Sequence, residues 1–163
     1  MKTINVLLAS TERRTNNLIQ TVVLDVCYDR AAVNCLQTGR VDELQARGGR
    51  EGFDLVVVCP GHLVAEPSRR SKTVTTAEAA QAIKRIKLWR SVPIIAVAVA
   101  RDDEPLLLDA GADSVLGTPF NGDALRVELG RLLTLPEPEV DPEPERGSFT
   151  TFFMRRLHLL KNA

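Results

Sequence analysis

Along residues 1–133, continuous apolar runs alternate with segments in which apolar residues recur at helical spacing. The clearest run, Phe53–Cys59, is rich in β-branched residues and lacks polar alternation, a pattern typical of parallel strands covered on both faces. Together the runs predict five strands. These are Ile4–Ala9, Ala31–Leu36, Phe53–Cys59, Pro93–Val99 and Ser114–Leu116.

The segments between and after these strands predict five helices. The first, about Arg13–Cys27, is expected to face inward through Leu18, Ile19, Val22, Val23 and Val26. A short second helix, Val41–Arg47, is expected to stop at Gly48-Gly49 because glycine disfavours helix interiors. The third covers about Thr76–Arg90. Asp103 is a candidate cap for a fourth helix that ends before Gly111, and Asn121 is the expected entry to a fifth.

Five strands alternating with five helices predict an α/β fold, a three-layer sandwich around one open parallel sheet. The common arrangement of five such units is the flavodoxin-like (βα)5 order 2-1-3-4-5. Ligands of these folds bind at the carboxyl ends of the strands, near the switch between the first and third strands. The residues expected at that edge are Ser10, Thr11, Cys59, Ala98 and Thr118.

The run Asp109-Ala-Gly-Ala-Asp-Ser-Val-Leu-Gly-Thr-Pro-Phe120 resembles the corner between the fourth helix and fifth strand of response-regulator receiver domains. The resemblance covers about residues 3–133 and is strongest in this run, in Asp54–Cys59 and in Pro93–Val99. It implies where the family's functional residues fall. The acidic metal-binding pair falls on Ser10 and Thr11, the phosphoacceptor aspartate on Cys59, the Ser/Thr switch on Ala98, the switch aromatic on Val115, and the phosphate-binding lysine on Thr118.

None of these positions keeps the family's residue type. Mg²⁺ is usually anchored by one or two carboxylates, and phosphoryl transfer needs positive charge to stabilise the developing oxyanions. Ser10, Thr11 and Thr118 offer neutral hydroxyls, and Glu12 is expected to point into the first helix. The chain therefore resembles a pseudo-receiver: a non-enzymatic signalling module with the receiver fold, without aspartyl phosphorylation, metal or cofactor.

Two other hypotheses remain open at this point. Cys59 is expected to be a small core residue, like Cys27 and Cys35, but as a thiolate it could serve a thiol-dependent enzyme or a redox sensor. That role requires a lowered pKa, for which His62 is the nearest candidate in sequence. The third hypothesis is a pseudo-receiver that senses a small ligand in place of phosphate.

Composition adds constraints on compartment and partners. With 21 basic and 21 acidic residues the formal charge is zero, which gives no general attraction to nucleic acid or to an anionic membrane. Three cysteines without metal-ligand spacing favour a reducing cytoplasm. No apolar run is long enough for a signal peptide or a membrane span. The basic loop Ser68–Lys72 is expected to be a solvated loop, with an anion, nucleic-acid or modification site as the alternative.

The composition divides the chain into a domain (1–134), a Pro/Glu-rich spacer (135–147) and a C-terminal amphipathic segment (148–163). Proline and like charges make the spacer extended, and the last segment predicts a short helix. Its apolar face must dock on its own domain, a second copy, another protein or an anionic membrane. That face consists of Phe149, Phe152, Phe153, Leu157 and Leu160.

The resemblance also implies how the module makes contacts. Receivers dimerise and signal through the fourth helix, fifth strand and fifth helix, which correspond here to about Asp103–Leu133. Too few residues follow for a helix-turn-helix, so we expect output through a partner protein.

Overall fold

The computed structural model describes residues 1–50, 52–65 and 72–137. These residues form a five-stranded parallel sheet with helices on both faces. The strand order is β2-β1-β3-β4-β5, so the predicted fold class and topology are confirmed. The strands are β1 Thr3–Ala9, β2 Ala32–Thr38, β3 Leu55–Val58, β4 Ile94–Ala98 and β5 Ser114–Gly117. The predicted C-terminal helix and the basic-loop residues 68–71 lie outside the described residues.

The continuous apolar runs are explained by two cores, one on each face of the sheet. Successive residues of a strand point to opposite faces. Along β1, Leu7 and Ala9 belong to one core, whereas Val6 and Leu8 belong to the other. The first core includes residues of α2, α3 and α4, and the second includes residues of α1 and α5. The helices are α1 Arg13–Val26, α2 Val41–Arg50, α3 Thr76–Trp89, α4 Glu104–Ala110 and α5 Gly122–Leu132.

The prediction that α2 stops at Arg47 is wrong, because the helix continues through both glycines to Arg50. Gly48 is buried where α2 packs against α3. A Cβ at this position would lie 2.7 Å from Ile86 Cδ1. Close packing between the two helices thus requires glycine here and compensates for its low helix propensity.

Two further expectations about helices need correction. Leu18 is 37% exposed, so the buried stripe of α1 is formed by Ile19, Val22 and Val23. Asp103 precedes α4, but its carboxylate accepts a hydrogen bond from Ala100 N (3.1 Å) and does not cap the helix. Asn121 caps α5 as predicted, its side chain accepting from Ala124 N at 2.8 Å. In the described ranges, no helix combines the length and the apolar character needed to cross a membrane.

Candidate functional site at the carboxyl ends of the strands

The carboxyl-end site consists of Ser10, Thr11, Cys59, Ala98 and Thr118. Backbone bonds beyond the strand ends position several of these residues: Cys59 N donates to Ala9 O at 3.0 Å, and Ser10 N donates to Thr38 O at 2.9 Å. On the other side, the Thr118 hydroxyl donates to Ala98 O at 2.5 Å. The sheet therefore places these residues along one edge, as the topology requires.

Cys59 follows the central strand β3 and is only 1% exposed. Burial raises the pKa of its thiol to about 12, against which a hydrogen bond with Ser10 acts only partly, and the charge of Glu12 raises the pKa further. The thiol therefore stays protonated near neutral pH. A thiolate nucleophile needs the opposite shift, so the environment of Cys59 disfavours the thiol-enzyme and redox-sensor hypotheses.

Glu12, the carboxylate nearest the site in sequence, caps helix α1. Its two oxygens accept from Thr15 N at 2.6 Å and from Arg14 N at 3.0 Å. Hydrogen bonds from Thr15 and Arg14 lower the pKa of Glu12 to about 2, with a small contribution from His62. The carboxylate is thus held by the helix end. Glutamate is not a preferred N-cap residue, so the sequence indicated its direction but not this role.

Hydrogen bonds join the loop that follows β3 to the loops that follow β1 and β2. Thr11 N and Thr11 Oγ1 both donate to His62 O at 2.8 Å. Farther along the loop, Val64 N donates to Gly39 O at 2.9 Å and Val41 N to Val64 O at 3.0 Å. His62 therefore acts through its main-chain carbonyl, a contact that side-chain patterns cannot reveal.

Asn16 is a site neighbour that the sequence analysis missed. It is 5% exposed on α1, and its Nδ2 donates to Ser10 O at 3.0 Å. Its Oδ1 has no hydrogen-bond partner among the described residues. A polar residue one turn before the buried Ile19 was the available signal, since it predicts an inward-facing amide.

The hydroxyl and carboxylate groups at this edge do not fit the magnesium ion that receiver domains use. Ser10 Oγ accepts from Glu12 N at 3.1 Å, the Thr11 hydroxyl is used by His62, and Glu12 caps α1. Mg²⁺ prefers octahedral oxygen ligation with carboxylates. Within the described ranges, no three His, Cys, Asp or Glu residues are grouped so that they could hold a metal ion.

The remaining predicted residues fall into two groups. Val115, at the switch-aromatic position, is half-buried and packs against the core that contains α3 and α4. The predicted interaction residues Phe149, Phe152, Phe153, Leu157 and Leu160 all lie outside the described residues. Around the expected dimer surface, Leu106 and Leu108 of α4 and Val127 of α5 are exposed.

Comparisons with known proteins place this chain by its fold. No family model and no curated protein matches it. Among solved structures, the receiver domain of a sensor histidine kinase from Pseudomonas aeruginosa PAO1, with magnesium in its active-site cleft, has a TM-score of 0.59 at 18% identity, covering 80% of this chain and 97% of that one. The chain has the receiver fold.

Two further structures are similar to the same extent. A response regulator from Thermotoga maritima has a TM-score of 0.59 at 19% identity, covering 80% of this chain and 97% of its own. A protein described as pilus assembly-related, from Burkholderia pseudomallei, has a TM-score of 0.59 at 22% identity, covering 79% and 88%. At these sequence identities the similarity shows the fold only. Function has to be inferred from the residues of the site.

Proposed function

We propose that this protein is a non-catalytic pseudo-receiver of two-component or phosphorelay signalling, which acts through protein–protein contacts and not through aspartyl phosphorylation. The observation that carries the proposal is Cys59. The residue that follows the central strand is a buried thiol whose pKa is raised to about 12, where the resemblance puts a phosphoacceptor aspartate.

The surroundings of Cys59 support the same conclusion. Phosphoryl transfer needs a metal ion and a cation to offset the charge that develops on the phosphoryl oxygens. Thr118 supplies a neutral hydroxyl that is already bonded to Ala98 O, and Glu12 is used as a helix cap. Among the described residues, these groups give a phosphorylated side chain neither charge partner.

The experiment that tests this proposal is incubation with acetyl phosphate and Mg²⁺, followed by intact-mass measurement. We expect the mass to stay unchanged, while a phosphorylatable receiver treated in parallel gains one phosphoryl group. A gain of phosphoryl mass that disappears in Cys59→Ala would refute the proposal.

Without phosphorylation, the signalling output must come from contacts that the protein surface makes with other proteins. We propose homodimerisation through α4, β5 and α5. The exposed apolar side chains Leu106, Leu108 and Val127 support this proposal, because the exposure of apolar surface to water is unfavourable. A different signalling protein can use the same surface. Because all three cysteines are free thiols, we also propose the reducing cytoplasm as the compartment.

A further inference from the structure

A groove between α2 and α3 lies apart from the carboxyl-end site. It has a volume of about 390 Å³, and its walls include Ala46, Gly49 and Trp89. The Trp89 ring is close to Gly49, since a Cβ on that glycine would lie 3.9 Å from Trp89 Cγ. Trp89 is 79% exposed and its neighbour Leu88 77% exposed. The exposed Trp89 side chain thus offers an aromatic surface at the groove.

The rim of this groove is basic. Arg50 and Arg85 line it, and Arg90 donates to Arg50 O at 2.7 Å. Arg85 is bonded to the neutral Gln45, whereas the one acidic residue of the lining, Asp42, is paired with Arg40. Neither Arg50 nor Arg85 is paired with a carboxylate of the described chain. The groove therefore fits a ligand that is both acidic and aromatic.

A segment of this composition follows in the chain itself. Residues 137–145 place Glu and Asp at every second position, and Phe149, Phe152 and Phe153 come soon after. Acidic residues therefore precede aromatic residues within one short stretch. This matches the two properties of the groove.

The chain leaves the described structure at the same end of the molecule as the groove. Helices of a parallel α/β sheet run back against the strands, so α2, α3 and α5 all end at the amino edge of the sheet. Thr134 O accepts from Lys2 Nζ there at 2.9 Å, and Thr134 lines a cavity together with Arg90. From Glu137 to Phe149, an extended chain spans about 37 Å at about 3.1 Å per residue. This reach is comparable to the diameter expected for a domain of this size, on the order of 35 Å.

We propose that residues 138–153 dock on the α2–α3 groove of the same molecule, with acidic side chains beside Arg50 and Arg85 and a phenylalanine against Trp89. A short tether gives an effective concentration on the order of millimolar, so even a contact that is weak between separate molecules is well populated. The docked segment would cover Trp89, and a signalling partner that binds the groove would have to displace it.

Trp89 is the single tryptophan of the chain and reports directly on this contact. The experiment measures acrylamide quenching of tryptophan fluorescence in the full-length protein, since a neutral quencher is insensitive to charge changes. We expect the Stern–Volmer constant to rise about twofold or more in Phe149→Ala/Phe152→Ala/Phe153→Ala, because a docked aromatic segment shields the indole. Arg50→Glu/Arg85→Glu should give the same rise.

The matched control is the double charge reversal Arg13→Glu/Arg101→Glu, at exposed positions outside the groove, which should leave quenching unchanged. Equal quenching in wild type and in both groove-directed variants would overturn the proposal. Shielding that appears only as protein concentration rises would also overturn it, because it would place the segment on a second copy. The result does not depend on phosphorylation, so the two proposals can fail separately.

Discussion

At the scale of single residues, two ionisable groups near the carboxyl-end site have opposite environments. Burial raises the pKa of Cys59 to about 12, and hydrogen bonds from the Thr15 side chain and from the backbone of Thr15 and Arg14 lower the pKa of Glu12 to about 2. The thiol is kept neutral and the carboxylate is kept charged. The burial of Cys59 could be predicted from the three valines before it, whereas the capping by Glu12 depends on the exact start of α1.

We predict that Cys59 reacts slowly with iodoacetamide in the native protein at pH 8. With a pKa of about 12, its thiolate fraction is on the order of 10⁻⁴, and the side chain is buried. Cys35 is half-buried and should label first. Peptide mass spectrometry over time distinguishes the two sites. If Cys59 labelled as rapidly as Cys35 before unfolding, a reactive-thiol role would have to be reconsidered.

We predict that Glu12→Gln lowers the melting temperature near neutral pH, because the charged cap of α1 is lost. The folded pKa is lowered to about 2 from 4.5, so the cap stabilises fully above 4.5 and its contribution is lost as pH falls towards 2. The difference between variant and wild type should therefore shrink from pH 6 to pH 2.5. Glu78→Gln, in the first turn of α3, is the control. A difference that did not vary with pH would contradict the capping account.

At the scale of elements, the apolar runs located all five strands. The central strands β3 and β4 are buried along their whole length, whereas the edge strand β2 is mostly exposed or half-buried. The predicted C-terminal end of helix α2 was wrong because its glycines were interpreted from helix propensity alone. The contact that reverses this interpretation, between Gly48 and Ile86, joins residues that are far apart in sequence and packed between two helices. Such contacts leave no periodic signal.

Adjacent glycines of α2 should respond oppositely to alanine. In Gly48→Ala, the new methyl would lie 2.7 Å from the buried Ile86, and we expect a loss of about 1–3 kcal/mol from overpacking. In Gly49→Ala, the nearest atom is 3.9 Å away, so helix propensity should dominate with a gain of up to about 1 kcal/mol. Urea unfolding of both variants measures the two changes. Equal effects of the two substitutions would show that the contact between Gly48 and Ile86 does not determine the change in stability.

At the scale of the whole molecule, topology could be predicted and so could the edge where the site residues meet. The chemistry at that edge could be predicted only in part. Residue types indicated the missing carboxylates and lysine, but the bonds from Thr11 to the His62 carbonyl use a main-chain group and were not foreseeable. The inward-facing amide of Asn16 could have been predicted from its spacing to Ile19, whereas the lack of a partner for its Oδ1 among the described residues depends on the packing of α1.

For the proposed dimer, we predict that Leu106→Glu/Val127→Glu shifts the protein towards monomer, because both side chains are exposed on the α4–α5 surface. The control is Leu24→Glu on α1, which is 55% exposed and lies on a different surface. Light scattering after size exclusion gives the mass of each variant. A double variant that remains dimeric would show that the interface lies on another surface.

The most direct measurement of the central claim is a Mg²⁺ titration followed by amide NMR shifts of Ser10, Thr11 and Cys59. The hydroxyls and the carboxylate around these residues are already used by internal hydrogen bonds, so we predict no saturable shift up to about 10 mM Mg²⁺. Saturable shifts at these three amides, reversed by EDTA, would contradict the account, because they would show a functional metal site where we infer none.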